Sequence, residues 1–181
     1  MLTLHPIQEA DLETVARIQA LSWRDTYRGI LGDAYLDREV LAERSAHWRA
    51  AWDRPEPGRI GLVALERGTA QGFINGEGGT DPRWGTLLDN LHVLPGSRGQ
   101  GIGTRLVRAF TEAALERWPG DPVQLWCFER NLRARAYYER LGGIPAQFRE
   151  IPGADGSLVP AWRYAWQDAR VLLARAQAGT A

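Results

Sequence analysis

The 181-residue chain contains no lysine; all 22 of its basic residues are arginine. That absence excludes Schiff-base chemistry on a lysine amine. It also excludes the phosphate loop whose glycines run into G-K-[ST]. Cysteine is nearly absent as well. Cys127 stands alone, so no intramolecular disulfide can form, which fits a reducing compartment. Neither sign of charge is in excess: 22 acidic residues balance 22 basic ones. No global field therefore draws the chain to nucleic acid or to a membrane surface. No apolar run approaches the ~20 residues needed to cross a bilayer. Residues 1–6 lack the basic start and apolar run of a signal peptide. The expectation is a cytoplasmic protein with no nucleic-acid or membrane partner and no metal.

What is present is an ordinary globular composition, 44% hydrophobic and 24% charged. The length suits a single domain, expected over residues 1–170, with an Ala-rich frayed tail over 171–181. Residues 2–7 alternate weakly and predict a strand. Leu12, Val15, Ile18 and Leu21 recur at helical spacing behind Asp11. A second helical stretch is expected over 33–52, stopped by the turn at 53–58. Strands follow at 59–66 and 70–75, then a Gly-rich loop over 76–85 and a strand at 86–94. A helix is expected over 102–117, a strand over 123–128 and a helix over 132–140. Strands at 144–150 and 159–166 close the chain. The order is β-α-α-β-β-β-α-β-α-β-β, an α/β (α+β) chain. Three consecutive strands imply a mixed, mostly antiparallel sheet, and the strand-helix-strand step implies one parallel pair within it.

The most informative segment is Arg98-Gly99-Gln100-Gly101-Ile102-Gly103-Thr104, between a strand and a helix. Unpaired N–H groups at a helix start, together with the helix dipole, form an anion site. Glycines at 99, 101 and 103 let a diphosphate approach the backbone, and Arg98 can add a charge-assisted contact. The spacing is not the G-x-G-x-x-G of a dinucleotide fold, because position 104 is threonine. Taken alone, the glycines are equally those of a tight turn.

Two segments together carry a resemblance. Leu91-His92-Val93-Leu94-Pro95-Gly96-Ser97-Arg98-Gly99-Gln100-Gly101-Ile102-Gly103 resembles the acetyl-CoA motif of the GNAT superfamily, the Gcn5-related N-acetyltransferases. Asn131-Leu132-Arg133-Ala134-Arg135-Ala136-Tyr137-Tyr138-Glu139-Arg140-Leu141-Gly142 is similar to its N-x-x-A-x-x-x-Y-x-x-x-G signature. Residues 22–31 also look like one branch of that superfamily.

The resemblance implies a GNAT-like twisted sheet with a splayed parallel pair and acetyl-CoA as cosubstrate. Backbone groups of Leu91, His92 and Val93 would pair with the pantetheine arm, and one N–H would face the thioester oxygen. Residues 98–104 would hold the pyrophosphate, and Asn131 would contact the arm or simply cap its helix. Tyr138 would protonate the leaving thiolate; its other reading is core packing, as expected of Tyr137. The acceptor would be a small-molecule amine or a peptide N-terminus, and a homodimer is compatible with the fold.

One position departs from the pattern. The superfamily often carries a catalytic Glu where this chain has Leu87. Asp89, on the same strand face by alternation, is the substitute candidate for general base, or else a structural or acceptor-binding acid. His92 would point to the other face. Trp23 and Tyr27, four apart, would line the acceptor site or belong to the core. Cys127 has no paired base and reads as packing. A non-catalytic acyl-CoA sensor on the same fold is the competing reading, favoured by Leu87.

Overall fold

The computed structural model describes residues 1–54 and 56–179, with only the backbone at Thr80. Pro55 of the expected turn and residues 180–181 of the expected tail lie outside the described residues. The elements are β1 (Leu2–Pro6), α1 (Leu12–Thr26), α2 (Asp33–Arg38), α3 (Val40–Trp52), β2 (Arg59–Glu66), β3 (Thr69–Asp81), β4 (Gly85–Val93), α4 (Ile102–Arg117), β5 (Val123–Phe128), α5 (Leu132–Arg140), β6 (Ile144–Pro152), β7 (Leu158–Trp166) and α6 (Ala169–Ala178).

One seven-stranded sheet runs β1-β2-β3-β4-β5-β7-β6. Every neighbouring pair is antiparallel except β4 and β5. That parallel pair is joined only at Thr86 with Val123 and Leu87 with Gln124. Beyond Leu87 the two strands part, while β5 stays paired with β7 along its whole length. The mixed sheet with one splayed parallel pair is therefore present.

Two layers of helix cover the sheet. Leu106, Phe110 and Ala114 of α4, four apart, share one helical face and bury against Ile74, Leu88 and Leu125. On the other face Val15 and Ile18 of α1 and Trp48 of α3 bury against Val63 and Phe73. No helix among the described residues is long and apolar enough to cross a membrane.

Three expectations are corrected. The helix expected over 33–52 is two helices, α2 and α3, divided at Glu39. The Gly-rich loop expected over 76–85 is largely strand. Close packing excludes a side chain at two of its glycines: a Cβ at Gly76 would stand 2.1 Å from the Leu87 carbonyl and 2.7 Å from the Phe110 ring, and one at Gly78 would stand 2.1 Å from the Trp118 ring, just past α4. The tail expected to fray is α6, capped by Asp168, which accepts from the Arg170 N–H at 2.9 Å. Ala169, Leu172 and Ala176 are buried in the α4 core. Their spacing is helical, and that apolar face outweighs the low complexity of the segment.

Candidate active site

A cleft of about 680 Å3 opens where β4 and β5 part. It is walled by Leu88, Asp89, Leu91, His92 and Val93 of β4, by Trp126 and Cys127 of β5, and by α5. One end is the glycine loop. Gly99 and Gly101 have φ of +80° and +77°, a left-handed backbone that favours glycine. A Cβ at either would meet nothing within 4 Å, so space stands open above them. The first helical bond runs from Arg105 N–H to the Gly101 carbonyl, so the N–H groups of residues 99–104 are not spent within the helix. No side chain caps α4 and no acid lies in its first turn. The helix end thus keeps its partial positive charge for an outside anion. These features fit a diphosphate.

Arg98 lines the cleft beside the loop. Its guanidinium is engaged within the protein. It is turned onto α1, ion-paired with Asp25 and donating to Ser22 Oγ and Thr26 Oγ1 at 3.2 Å each. Its Nε also donates to the Val93 carbonyl at 3.2 Å, so Arg98 fastens the end of β4 to α1.

The ladder decides which backbone groups of β4 are on offer. Leu94 N–H donates to Gln71 O at 2.8 Å, and His92 pairs opposite Phe73. In an antiparallel ladder the polar groups of alternate residues face the same neighbour. His92 therefore turns its backbone toward β3, while Leu91 and Val93 turn theirs into the gap. Leu91 N–H, Leu91 C=O and Val93 N–H are thus the β4 backbone groups presented to the gap, and His92 lines the cleft without offering its backbone there.

The His92 side chain supports the wall from behind. The Trp23 indole N–H donates to its Nε2 at 3.3 Å. An indole can only donate, so Nε2 accepts and the neutral ring carries its proton on Nδ1, 3.2 Å from Ser22 Oγ. Burial, with the positive Arg98 and Arg44 nearby, pushes its pKa down to about 3. Trp23 stacks beneath Arg44 and is not among the described residues that line the cleft. Tyr27 does line it, against Phe128 with ring centroids 5.0 Å apart. Burial raises its pKa, and its hydroxyl lies within reach of Asn131. Asn131 caps α5 by accepting from Ala134 N–H at 3.2 Å and also lines the cleft.

Tyr138 is 9% exposed and lines the cleft beside Cys127 and Tyr27, where the strands part. Burial raises its pKa well above that of a free phenol, so the hydroxyl holds its proton. Tyr137 packs against the core as expected and also lines the cleft; its hydroxyl stands 3.5 Å from Thr104 Oγ1, over the glycine loop. Burial pushes the Cys127 thiol up to about 12, which keeps it un-ionised.

Asp89 occupies a β-bulge. Asn90 and Leu88 face the consecutive residues Asn75 and Gly76, so Asp89 is the extra residue. The strict alternation used to orient it does not hold here; the bulge itself aims it into the cleft. Its carboxylate is open to the solvent of the cleft yet hemmed in by protein, and this enclosure raises its pKa. His47, the hydrogen bond from Asn90 and the positive Arg44 oppose the rise. A buried chain ends on it. Trp48 Nε1 donates to Gln19 Oε1 at 2.7 Å, Gln19 Nε2 to Asn90 Oδ1 at 2.8 Å, and Asn90 Nδ2 to Asp89 Oδ2 at 2.6 Å. Because the indole can only donate, each amide is fixed in orientation and every donor points toward the acid. Residue spacing gives no sign of this chain, since Gln19 and Asn90 are 71 positions apart.

A cleft with an anion cradle at one end, strand edges in the middle and an oriented acid beyond fits an extended ligand that ends in phosphate. Comparison with known proteins narrows it. Residues 12–143 match the Acetyltransferase (GNAT) family model. An uncharacterised N-acetyltransferase of Archaeoglobus fulgidus is 30% identical over 136 residues, 71% of this chain and 83% of that protein. A GCN5-related N-acetyltransferase from Rhodopseudomonas palustris superposes with a TM-score of 0.72 at 20% identity, covering 90% of this chain and 93% of that one. PaiA N-acetyltransferase from Thermoplasma acidophilum, in complex with coenzyme A, superposes at 0.66 with 20% identity, covering 92% and 99%. The chain belongs to the GNAT acetyltransferase family.

Proposed function

We propose that this protein transfers the acetyl group of acetyl-CoA to a primary amine by direct attack in a ternary complex. The observation that carries the reading is the gap between β4 and β5, with the glycine loop at one end and Asp89 and Tyr138 beside it. The N–H groups of residues 99–104 hold the pyrophosphate. The free edges of Leu91 and Val93 take the pantetheine arm as an added strand. A β4 N–H that faces the thioester oxygen stabilises negative charge there as the amine attacks.

Proton movement falls to two side chains. Asp89, its pKa raised, accepts the proton from the amine directly or through one water. It stands in for the Glu that Leu87 replaces, two residues along the same strand. Tyr138, still protonated at neutral pH, donates to the departing thiolate.

Free-thiol release from acetyl-CoA with a panel of amines and peptides tests the reading. Asp89→Asn should lower kcat/KM by about 100-fold or more and leave acetyl-CoA affinity nearly intact. Tight acetyl-CoA binding with no turnover across the panel would instead favour an acyl-CoA-sensing module.

A further inference from the structure

Beyond Asp89, on the same face of the sheet, lies an arginine with no carboxylate of its own. Arg163 of β7 is 7% exposed. Arg44, equally buried at 8%, is held by the carboxylate of Glu43. Arg163 has no such ion pair among the described residues. Its Nη1 donates to Gln124 Oε1 at 2.5 Å, and its Nε is buried without a partner. Two indoles flank it, with its guanidinium 4.6 Å from the ring centroids of both Trp84 and Trp126. Arg149 stands 4.3 Å over the same Trp126 ring, and Arg83 stands 4.8 Å over Trp84. The acid facing this group is Asp81, and its Oδ1 is already taken by the N–H groups of Arg83 and Trp84. A chain of zero net charge thus concentrates three arginines and two indoles in one place. A buried cation left unpaired by its own protein is costly and calls for an outside anion.

The register ties this patch to the cleft. Leu87 pairs with Gln124, and just beyond that pair Asp89 and Trp126 both line the cleft. Arg163 is the partner of Trp126 on the next strand. Both guanidinium groups stand over the Trp126 ring, so an anion held between them faces a nitrogen at Asp89 across the β4–β5 gap.

We infer that the acceptor is an amine that also carries an oxyanion, a carboxylate or a phosphate, which docks on Arg163 and Arg149 beside Trp126. This rests on the acetyl-transfer reading of the cleft. Trp126 supplies an apolar floor for the linker between the two ends, and the guanidinium forks give the oxyanion its paired donors. The zero net charge leaves binding of the anionic end to this local patch alone.

The test is thiol release from acetyl-CoA with matched acceptors. These are glycylglycine against its C-terminal amide, 4-aminobutyrate against butylamine, and phosphoethanolamine against ethanolamine. The anionic member of a pair should have kcat/KM at least about tenfold higher, and added salt should shrink that ratio. Arg149→Gln, at an exposed position that the core does not need, should bring the ratio close to one. Preference for the phosphate over the carboxylates would identify phosphate as the natural group, and the reverse would identify carboxylate. Turnover of both members of each pair at equal rates, or better turnover of the neutral ones, overturns the inference and leaves acetyl transfer standing. Turnover of no amine, with acetyl-CoA still bound, defeats the acetyl-transfer reading and this inference with it.

Discussion

His92 makes a quantitative prediction about stability in acid. Its pKa is about 3 in the folded chain and 6.5 without perturbation. Below pH 6.5 the unfolded chain takes up a proton that the native ring refuses. The unfolded state then binds more protons, so stability falls as pH falls, by about 1.4 kcal/mol per unit. The stabilisation is whole above about pH 6.5 and gone near pH 3. The full window is worth at most about 5 kcal/mol, and about 2.7 kcal/mol of it is lost by about pH 4.5. Asp89, with its raised pKa, works in the opposite sense, and His47, with its lowered one, in the same sense. A difference measurement cancels both. His92→Gln keeps an acceptor for Trp23 and a donor for Ser22 but cannot titrate. Urea unfolding of both proteins across about pH 7 to 4.5 should show wild type losing roughly 2–3 kcal/mol more than the variant. Parallel pH profiles would refute the picture of a buried neutral imidazole bracing β4 against α1.

Two further outcomes follow from geometry. Gly101→Ala places a Cβ at a φ of +77° with no protein atom within 4 Å. It should cost only about 1–2 kcal/mol of stability but weaken acetyl-CoA binding at least about tenfold by calorimetry; unchanged affinity would remove the loop from the phosphate site. Leu172→Ala empties a fully buried site in α6 and should destabilise by about 2–5 kcal/mol in urea, whereas Val171→Ala, 45% exposed, should cost well under 1 kcal/mol. Equal, negligible effects would mean that the segment contributes no packing.

The parts of the site that were legible in the sequence are local ones. The alternate glycines at 99, 101 and 103 mark a strand-to-helix turn by themselves, and the helix end follows from chain order. The splay of β4 from β5 was available only through the resemblance of two motifs. What escaped depends on residues far apart in the chain. No local signal ties Arg98 to Asp25, 73 positions away. The bulge at Asp89 breaks the period of two that strand reasoning assumes. The donor chain from Trp48 through Gln19 and Asn90 joins three elements. Two misses did carry a signal. Ala169, Leu172 and Ala176 have helical spacing behind a capping Asp168, and low complexity hid it. Arg163, set between Trp162 and Tyr164 in an apolar strand, is a charge at a position that burial makes costly.

The measurement that bears most directly on the central claim is steady-state thiol release by Tyr138→Phe, set beside acetyl-CoA binding by the same protein. Loss of the phenol removes the proton donor and leaves the ring in its place among Tyr137, Tyr164 and Trp166. The expected result is that kcat falls about 100-fold or more while the acetyl-CoA dissociation constant stays within about threefold. An unchanged kcat would contradict it.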